Sequence, residues 1–119
     1  MNTDQTIPGW DVLELKRRLD AGESLAVLDV REPFERDYGA LALPGSAIDL
    51  HIPLDQIPEH LEDLRQAVNG RPLVVYCHHG VRSLAVAQWL HRQGFSDVNN
   101  LEGGIDAWSL AIDPAVARY

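Results

Sequence analysis

Apolar and polar residues follow two alternating patterns along this chain. Continuous apolar runs cover residues 24–30 and 72–76, a pattern typical of strands that are buried on both faces of a parallel sheet. Two weaker runs, at 46–50 and 97–101, predict further strands. The pattern therefore predicts four short strands.

Between these runs, apolar residues recur at the spacing of one helix face. Helices are predicted over residues 10–22, 33–39, 53–70, 83–94 and 104–112. Strands that alternate with helices predict an α/β fold built on a parallel sheet. In such sheets ligands bind beyond the carboxyl ends of the strands, so the loops there are the first candidates for a functional site.

Composition adds limits on size and partners. A length of 119 residues, with 45% hydrophobic and 24% charged residues, predicts one ordinary globular domain over residues 1–119. The formal net charge is −8, from 18 acidic and 10 basic side chains. This balance argues against nucleic acid as a partner, because phosphate binding needs a basic face.

Cysteine usage and the apolar runs indicate the compartment. The single cysteine allows no internal disulfide, which fits a reducing environment. The first ten residues lack the basic and apolar regions of a signal peptide. No apolar run approaches the roughly 20 residues that a membrane helix needs. We therefore expect a cytoplasmic protein with no membrane partner.

The single cysteine lies in the segment 74–83, VVYCHHGVRS. Cys77 follows the strongest predicted strand and precedes a helix whose N-cap is expected to be Ser83. Backbone N–H groups at a helix start have no partners inside the helix, so a loop curled around Cys77 would form a nest for negative charge. Gly80 would allow the tight curl, and Arg82 would add a full positive charge.

A thiol in this position is expected to ionise readily. The pKa of free cysteine, about 8.5, falls to roughly 3.5–7.5 near helix N-termini and cations. The Cys77 thiolate would be a strong nucleophile, and the surrounding N–H groups would stabilise an anion bound to its sulfur. The predicted anion-binding loop comprises His78, His79, Gly80, Val81, Arg82 and Ser83.

Other interpretations of this loop are open. A lone cysteine is most often a small buried hydrophobe. A metal site is not predicted, because Cys77, His78 and His79 are adjacent and no second ligand pair has the spacing of a zinc site. The two histidines are as readily explained as solvated loop residues as by contact with a substrate. No cofactor is predicted.

Four motifs, in order and at the right spacing, resemble the rhodanese family of sulfurtransferases. They are LAVLDVREPFE (25–35), LPGSA (43–47), VVYCHHGVRS (74–83) and LEGGIDAW (101–108). The chain is most similar to the C-terminal rhodanese domains that are fused to adenylyltransferases of molybdopterin and thiamine synthesis. It departs from the family in the segment 41–53, which leaves its substrate choice open.

The resemblance implies a parallel five-stranded sheet with helices on both faces. It implies that Cys77 takes a sulfane sulfur from thiosulfate or a protein persulfide and becomes a persulfide itself. Cyanide, a thiolate or a sulfur-carrier protein would then accept that sulfur, as in a thiosulfate:cyanide-type sulfurtransferase. Arg82 would hold the oxyanion of the donor, and Asp29 and Arg31 would support the site from behind.

Two other functions stay open. Cysteine-dependent phosphatases and arsenate reductases share this fold type, but their loop arginine comes one position later than Arg82, and they usually carry histidine where Tyr76 stands. Alternatively, the chain is a rhodanese module without chemistry of its own, or a carrier in a sulfur relay. The presence of Cys77, Gly80 and Arg82 argues against a loss of chemistry.

Overall fold

A computed structural model describes residues 6–119 of the chain, and its centre is one parallel sheet. The strands are Gly9–Trp10 (β1), Ala26–Asp29 (β2), Ile48–His51 (β3), Leu73–Tyr76 (β4) and Val98–Leu101 (β5). They lie in the order β1-β5-β4-β2-β3, and every pairing is parallel. The predicted α/β fold with a five-stranded parallel sheet is confirmed.

Within residues 6–119 there are five α-helices, of which four cover the two faces of this sheet. They are Val12–Asp20 (α1), Pro33–Tyr38 (α2), Leu61–Val68 (α3), Val81–Arg92 (α4) and Gly104–Ala111 (α5). Helices α1 and α5 bury apolar side chains against one face, and α3 and α4 bury theirs against the other. This two-sided burial explains why the sheet strands read as continuous apolar runs. None of these helices, within residues 6–119, has the length and apolar character to cross a bilayer.

The central position of β4 fixes the site. This strand pairs with β2 on one side and with β5 on the other, and its four residues are buried. Cys77 follows directly after β4, so the start of the loop is anchored in the middle of the sheet. The predicted position of the cysteine, beyond the carboxyl end of a buried strand, is confirmed.

One predicted helix is interrupted in the structure, and one short strand was not predicted. The helix predicted over 53–70 is a pair of 3₁₀ turns, Leu54–Gln56 and Pro58–His60, followed by α3. Pro58 has no N–H to donate to the carbonyl one turn earlier, so a continuous α-helix cannot run through it. The two-residue strand β1 was not predicted, because so short a segment carries no periodic pattern.

Helix α4 begins earlier than predicted. Its N-cap is Gly80, and Ser83 lies inside the first turn, so the prediction that Ser83 caps this helix was wrong. Gly80 has φ of 99°, a left-handed conformation that glycine adopts without steric cost. The chain therefore turns into the helix at Gly80, and the polar groups of Ser83 face the loop.

Candidate active site

The loop of residues 77–82 closes around the sulfur of Cys77, which is buried with 1% of the residue exposed. Its Sγ accepts hydrogen bonds from the backbone N–H of Gly80 at 3.2 Å and from that of Ser83 at 3.4 Å. The Ser83 hydroxyl lies 3.3 Å from the same sulfur. Two N–H groups and one hydroxyl therefore converge on one atom.

The Ser83 hydroxyl has a second partner in Asn100 of β5. Ser83 Oγ donates to Asn100 Oδ1 at 2.6 Å, and Asn100 Nδ2 donates to the carbonyl of Gly80 at 3.1 Å. A hydroxyl carries one proton, so Ser83 gives it to Asn100 while Cys77 is a thiol and is able to turn it to the sulfur once the thiol ionises. Asn100 thus holds the serine and the loop in one arrangement.

Opposing effects act on the pKa of Cys77. Burial raises it, because the charged form loses contact with water. Hydrogen bonding with the hydroxyl of Ser83, hydrogen bonds from the N–H groups of Ser83 and Gly80, and the charge of Arg82 all lower it. The lowering effects prevail, so the pKa of this thiol lies below its ordinary value. Such a shift increases the share of thiolate at neutral pH.

Gly104, in the last motif, allows helix α5 to reach the loop. The N–H of Ile105 donates to the carbonyl of Cys77 at 3.0 Å, and the N–H of Asp106 donates to that of His78 at 3.1 Å. Gly104 has φ of 60°, and a Cβ on it would lie 2.5 Å from both loop carbonyl oxygens. The loop and α5 therefore meet backbone to backbone, which only glycine permits at this position.

Arg82 does not present a free charge to the loop. Its guanidinium forms a bidentate ion pair with Glu35, with N···O distances of 2.6 and 2.9 Å. The bonds from Arg82 lower the pKa of Glu35 to about 2, although burial acts in the opposite direction. The oxyanion-binding role expected for Arg82 stays a prediction.

Four aromatic rings stack in a row beside the loop. Tyr38 stacks on Tyr119 at 5.2 Å between ring centroids, Tyr119 on His78 at 3.9 Å, and His78 on His79 at 3.9 Å. Burial and the neighbouring His79 lower the pKa of His78, which favours its neutral form. The row therefore makes one side of the loop aromatic.

Asp29 and Arg31 form a fully buried ion pair behind the loop, with Arg31 Nη2 2.8 Å from Asp29 Oδ2. Burial raises the pKa of Asp29, but bonds and charge from Arg31 prevail and lower it. Arg31 Nη1 also donates to the hydroxyl of Tyr119 at 2.9 Å, and that hydroxyl donates to Glu35 at 2.8 Å. The pair is thus connected to Arg82 through Tyr119 and Glu35, while its supporting role stays a prediction.

One group of potential metal ligands lies at the loop. Side-chain atoms of His78, His79 and Asp106 lie within 4.8 Å of one another. The two imidazole planes differ by only 21°, so their nitrogen lone pairs run nearly side by side instead of converging on one point. Asp106 also pairs with Arg118 at 2.9 Å. This geometry does not favour a bound cation.

Sequence reasoning missed three residues of the site: Glu35, Asn100 and Tyr119. Glu35 meets its arginine across 47 positions of sequence, and Tyr119 meets Glu35 across 84. No periodic or local pattern reports contacts at such separation. Asn100 was the most accessible to reasoning, because a polar residue inside a buried strand needs a partner.

Comparison with known proteins places the chain among sulfurtransferases. The model of the rhodanese-like domain matches residues 11–111. A curated relative from Allochromatium vinosum, named sulfurtransferase, is 34% identical over 107 residues, covering 90% of this chain and 92% of its own. The probable adenylyltransferase/sulfurtransferase MoeZ of Mycobacterium tuberculosis is 36% identical over 110 residues, covering 89% of this chain and 26% of its own.

Thus the chain spans about a quarter of the length of MoeZ. Among solved structures, a rhodanese-like domain protein from Staphylococcus aureus superposes with a TM-score of 0.73 at 30% identity, covering 86% of this chain and 91% of its own. The match of the family model, the identity to the curated relatives and the shared architecture agree. This chain belongs to the rhodanese-like domain family of sulfurtransferases.

Proposed function

We propose that this chain transfers sulfane sulfur through a persulfide formed on Cys77. The observation that carries the proposal is the convergence of the Gly80 N–H and the Ser83 N–H on one sulfur, with the Ser83 hydroxyl 3.3 Å from the same atom and able to donate to it once the thiol ionises. These donors favour a thiolate, and the same donors remain available to a negatively charged sulfur bound to it. A donor supplies the sulfane sulfur, and a thiophilic acceptor removes it.

The two steps are displacements at sulfur. The Cys77 thiolate attacks the sulfane sulfur, the bond between that sulfur and the rest of the donor breaks, and its electron pair leaves with the donor fragment. An acceptor nucleophile then attacks the outer sulfur of the persulfide, and the electron pair of the S–S bond returns to Cys77. Neither step requires a metal or an external oxidant.

Mass spectrometry of the intact protein tests this proposal. After incubation with a sulfane donor and removal of excess reagent, we expect the mass to rise by one sulfur atom on Cys77. Cyanide should remove that sulfur, and thiocyanate should appear in equal amount. The variant Cys77→Ser should gain nothing, and a wild-type protein that gains no sulfur from any donor would instead be a docking module.

Phosphatase chemistry is the second candidate, and the site does not favour it. A phosphate ester needs a free guanidinium in the loop, whereas Arg82 is held by Glu35. We therefore expect no hydrolysis of an aryl phosphate above the level of the Cys77→Ser variant. Hydrolysis that depends on Cys77 would overturn the assignment as a sulfurtransferase.

A further inference from the structure

We call the surface around Arg82, Val81 and the aromatic row the mouth of the site. The partners of Glu35 limit what this mouth can bind. Besides Arg82, the carboxylate of Glu35 accepts hydrogen bonds from the hydroxyl of Tyr119 at 2.8 Å and from the N–H of Glu32 at 3.0 Å. Its side chain is only 6% exposed. If Arg82 turned to an incoming anion, it would leave a buried carboxylate without its counter-charge, which is strongly unfavourable.

The other cations beside the loop are also matched by acids. Arg31 is paired with Asp29, and Arg118 is paired with Asp106. His79 Nε2 lies 3.8 Å from Asp106, so a proton on that ring would meet a carboxylate as well. Each of these cations therefore already has an acidic partner when an anion enters the mouth.

Apolar and aromatic side chains near the loop are exposed beside the paired arginines. Val81, the first residue of α4, is 77% exposed, and Tyr38 at the far end of the ring row is 57% exposed. Nε2 of His78, at the middle of that row, is buried and has no hydrogen-bond partner. These surfaces suit a carbon-containing group better than a sulfonate, which needs donors for its oxygens.

We propose, on the basis of the function proposed above, that this site takes its sulfur from a persulfide on an organic thiol and discriminates against thiosulfate, with Glu35 as the specificity-determining residue. In thiosulfate, the group bonded to the sulfane sulfur is a charged sulfonate, which must enter the mouth. In an organic persulfide, the group bonded to the sulfane sulfur is another sulfur, which is followed by a methylene. This group does not bring the charge of a sulfonate into the mouth.

The step is balanced without a co-reactant. The Cys77 thiolate attacks the outer sulfur of R–S–SH, a bond forms between Sγ and that sulfur, and the S–S bond of the donor breaks. The electron pair leaves on R–S⁻, and the proton stays on the transferred sulfur. Cys77 becomes Cys–S–SH, and no net oxidation occurs.

The test compares three donors by the rate at which Cys77 gains sulfur. They are cysteine persulfide, benzenethiosulfonate and thiosulfate, and each rate is divided by the rate of the same donor with free glutathione. Benzenethiosulfonate carries a phenyl group in place of one charged oxygen of thiosulfate. We expect the normalised rates to fall in that order, with cysteine persulfide faster than thiosulfate by roughly tenfold or more.

The variant Glu35→Gln releases the charge of Arg82 and isolates its effect within a single donor. We expect its thiosulfate rate to rise by roughly tenfold relative to cysteine persulfide, because a free guanidinium would then meet the sulfonate. Glu59→Gln, at an exposed position in the 3₁₀ turn Pro58–His60, changes the net charge equally and should leave this ratio as in wild type. Tyr119→Phe removes one bond to Glu35 but keeps the ring, and should shift the ratio in the same direction as Glu35→Gln.

The outcomes separate the two proposals. Equal normalised rates for thiosulfate and cysteine persulfide would overturn the donor preference but leave persulfide chemistry on Cys77 intact. An unchanged ratio in both Glu35→Gln and Tyr119→Phe, with circular dichroism like that of wild type, would remove Glu35 from its role. Failure of all three donors to load Cys77 would overturn the proposed function itself.

Discussion

At the scale of single residues, one hydroxyl links the nucleophile to the sheet. Ser83 Oγ lies 3.3 Å from the sulfur of Cys77 and 2.6 Å from Asn100 on the neighbouring strand. The N–H of the same residue also points at the sulfur. Ser83 therefore acts on Cys77 through its hydroxyl and its backbone N–H. A substitution by alanine removes the hydroxyl and keeps the N–H.

Replacing this serine tests how much the hydroxyl contributes. In Ser83→Ala, the pKa of Cys77 should rise, because one of the bonds that lower it is lost while the burial that raises it remains. A hydrogen bond to a charged group contributes about 1.5–3 kcal/mol, so sulfur loading at neutral pH should slow by roughly tenfold or more. The pKa is measured from the rate of alkylation by iodoacetamide across pH.

Ser109→Ala is the matched control for this variant. Ser109 is also a buried helical serine, but its hydroxyl donates to the carbonyl of Val116 at 2.6 Å. Its loss should lower stability without moving the pH profile of alkylation. A profile that moves equally in both variants would mean that general loosening, and not the bond to sulfur, sets the pKa.

How far the site could be predicted depends on where each residue lies in sequence. Cys77, Gly80 and Ser83 lie within seven consecutive positions, and the residue types of a strand–loop–helix junction were enough to predict that they act together. The prediction that Arg82 adds a full positive charge at the loop did not include its partner Glu35, which comes from another helix. Tyr119 carried no signal, since its contacts depend on how the end of the described chain returns to the loop.

At the scale of elements, α5 supports the loop through its first turn. Its N–H groups bond to the carbonyls of Cys77 and His78, so these carbonyls point away from the sulfur. The neighbouring N–H groups of the loop are left free to face it. The approach depends on Gly104, whose missing side chain leaves room for the two carbonyl oxygens.

Two glycine substitutions separate strain from steric contact. Gly104→Ala should lower the free energy of unfolding by roughly 3 kcal/mol or more and slow sulfur loading, because its Cβ would meet loop backbone and its φ is unfavourable. Gly22→Ala has a similar φ of 75° but no atom within 4 Å of the added Cβ, so it should cost about 1 kcal/mol. Urea unfolding measures both, and equal losses would show that the contact with the loop is unimportant.

Element boundaries were less predictable than element types. Within residues 6–119, the apolar runs predicted four of the five strands, and the signal was strongest for β2 and β4, whose residues are buried on both faces of the sheet. The predicted start of α4 was wrong. Ser83 was expected at the N-cap because serine favours caps, but the helix begins after Gly80, whose backbone is left-handed. At this position the turn that the loop makes at Gly80 outweighs the preference of serine for the N-cap.

At the scale of the whole molecule, several acidic side chains form ion pairs with arginines of the same chain. Asp29, Glu35 and Asp106 each hold a guanidinium, and the pKa of each carboxyl is lowered. A lowered pKa means that the folded state favours the charged form. The stability of the fold should therefore depend on pH on the acid side.

Glu35 should account for a separable part of this dependence. Its pKa is lowered from 4.5 to about 2, so its contribution is fully present above pH 4.5 and is lost as the pH falls toward 2. The difference in free energy of unfolding between wild type and Glu35→Gln should be largest at neutral pH and shrink over this range. Urea titrations from pH 7 to pH 2 measure it, with Glu59→Gln as the surface control, and a difference that stays constant with pH would contradict the role of the ion pair.

The depth of the Cys77 sulfur has a consequence for the direction of transfer. With 1% of the residue exposed, the resting nucleophile is buried, and a large acceptor has no direct access to its sulfur. Under the proposed function, a second sulfur would lengthen this side chain by a bond of about 2 Å. The loaded and unloaded forms would then offer an acceptor different reactive atoms at different depths, so the sulfur that is transferred would be the one that lies farther from the backbone of Cys77.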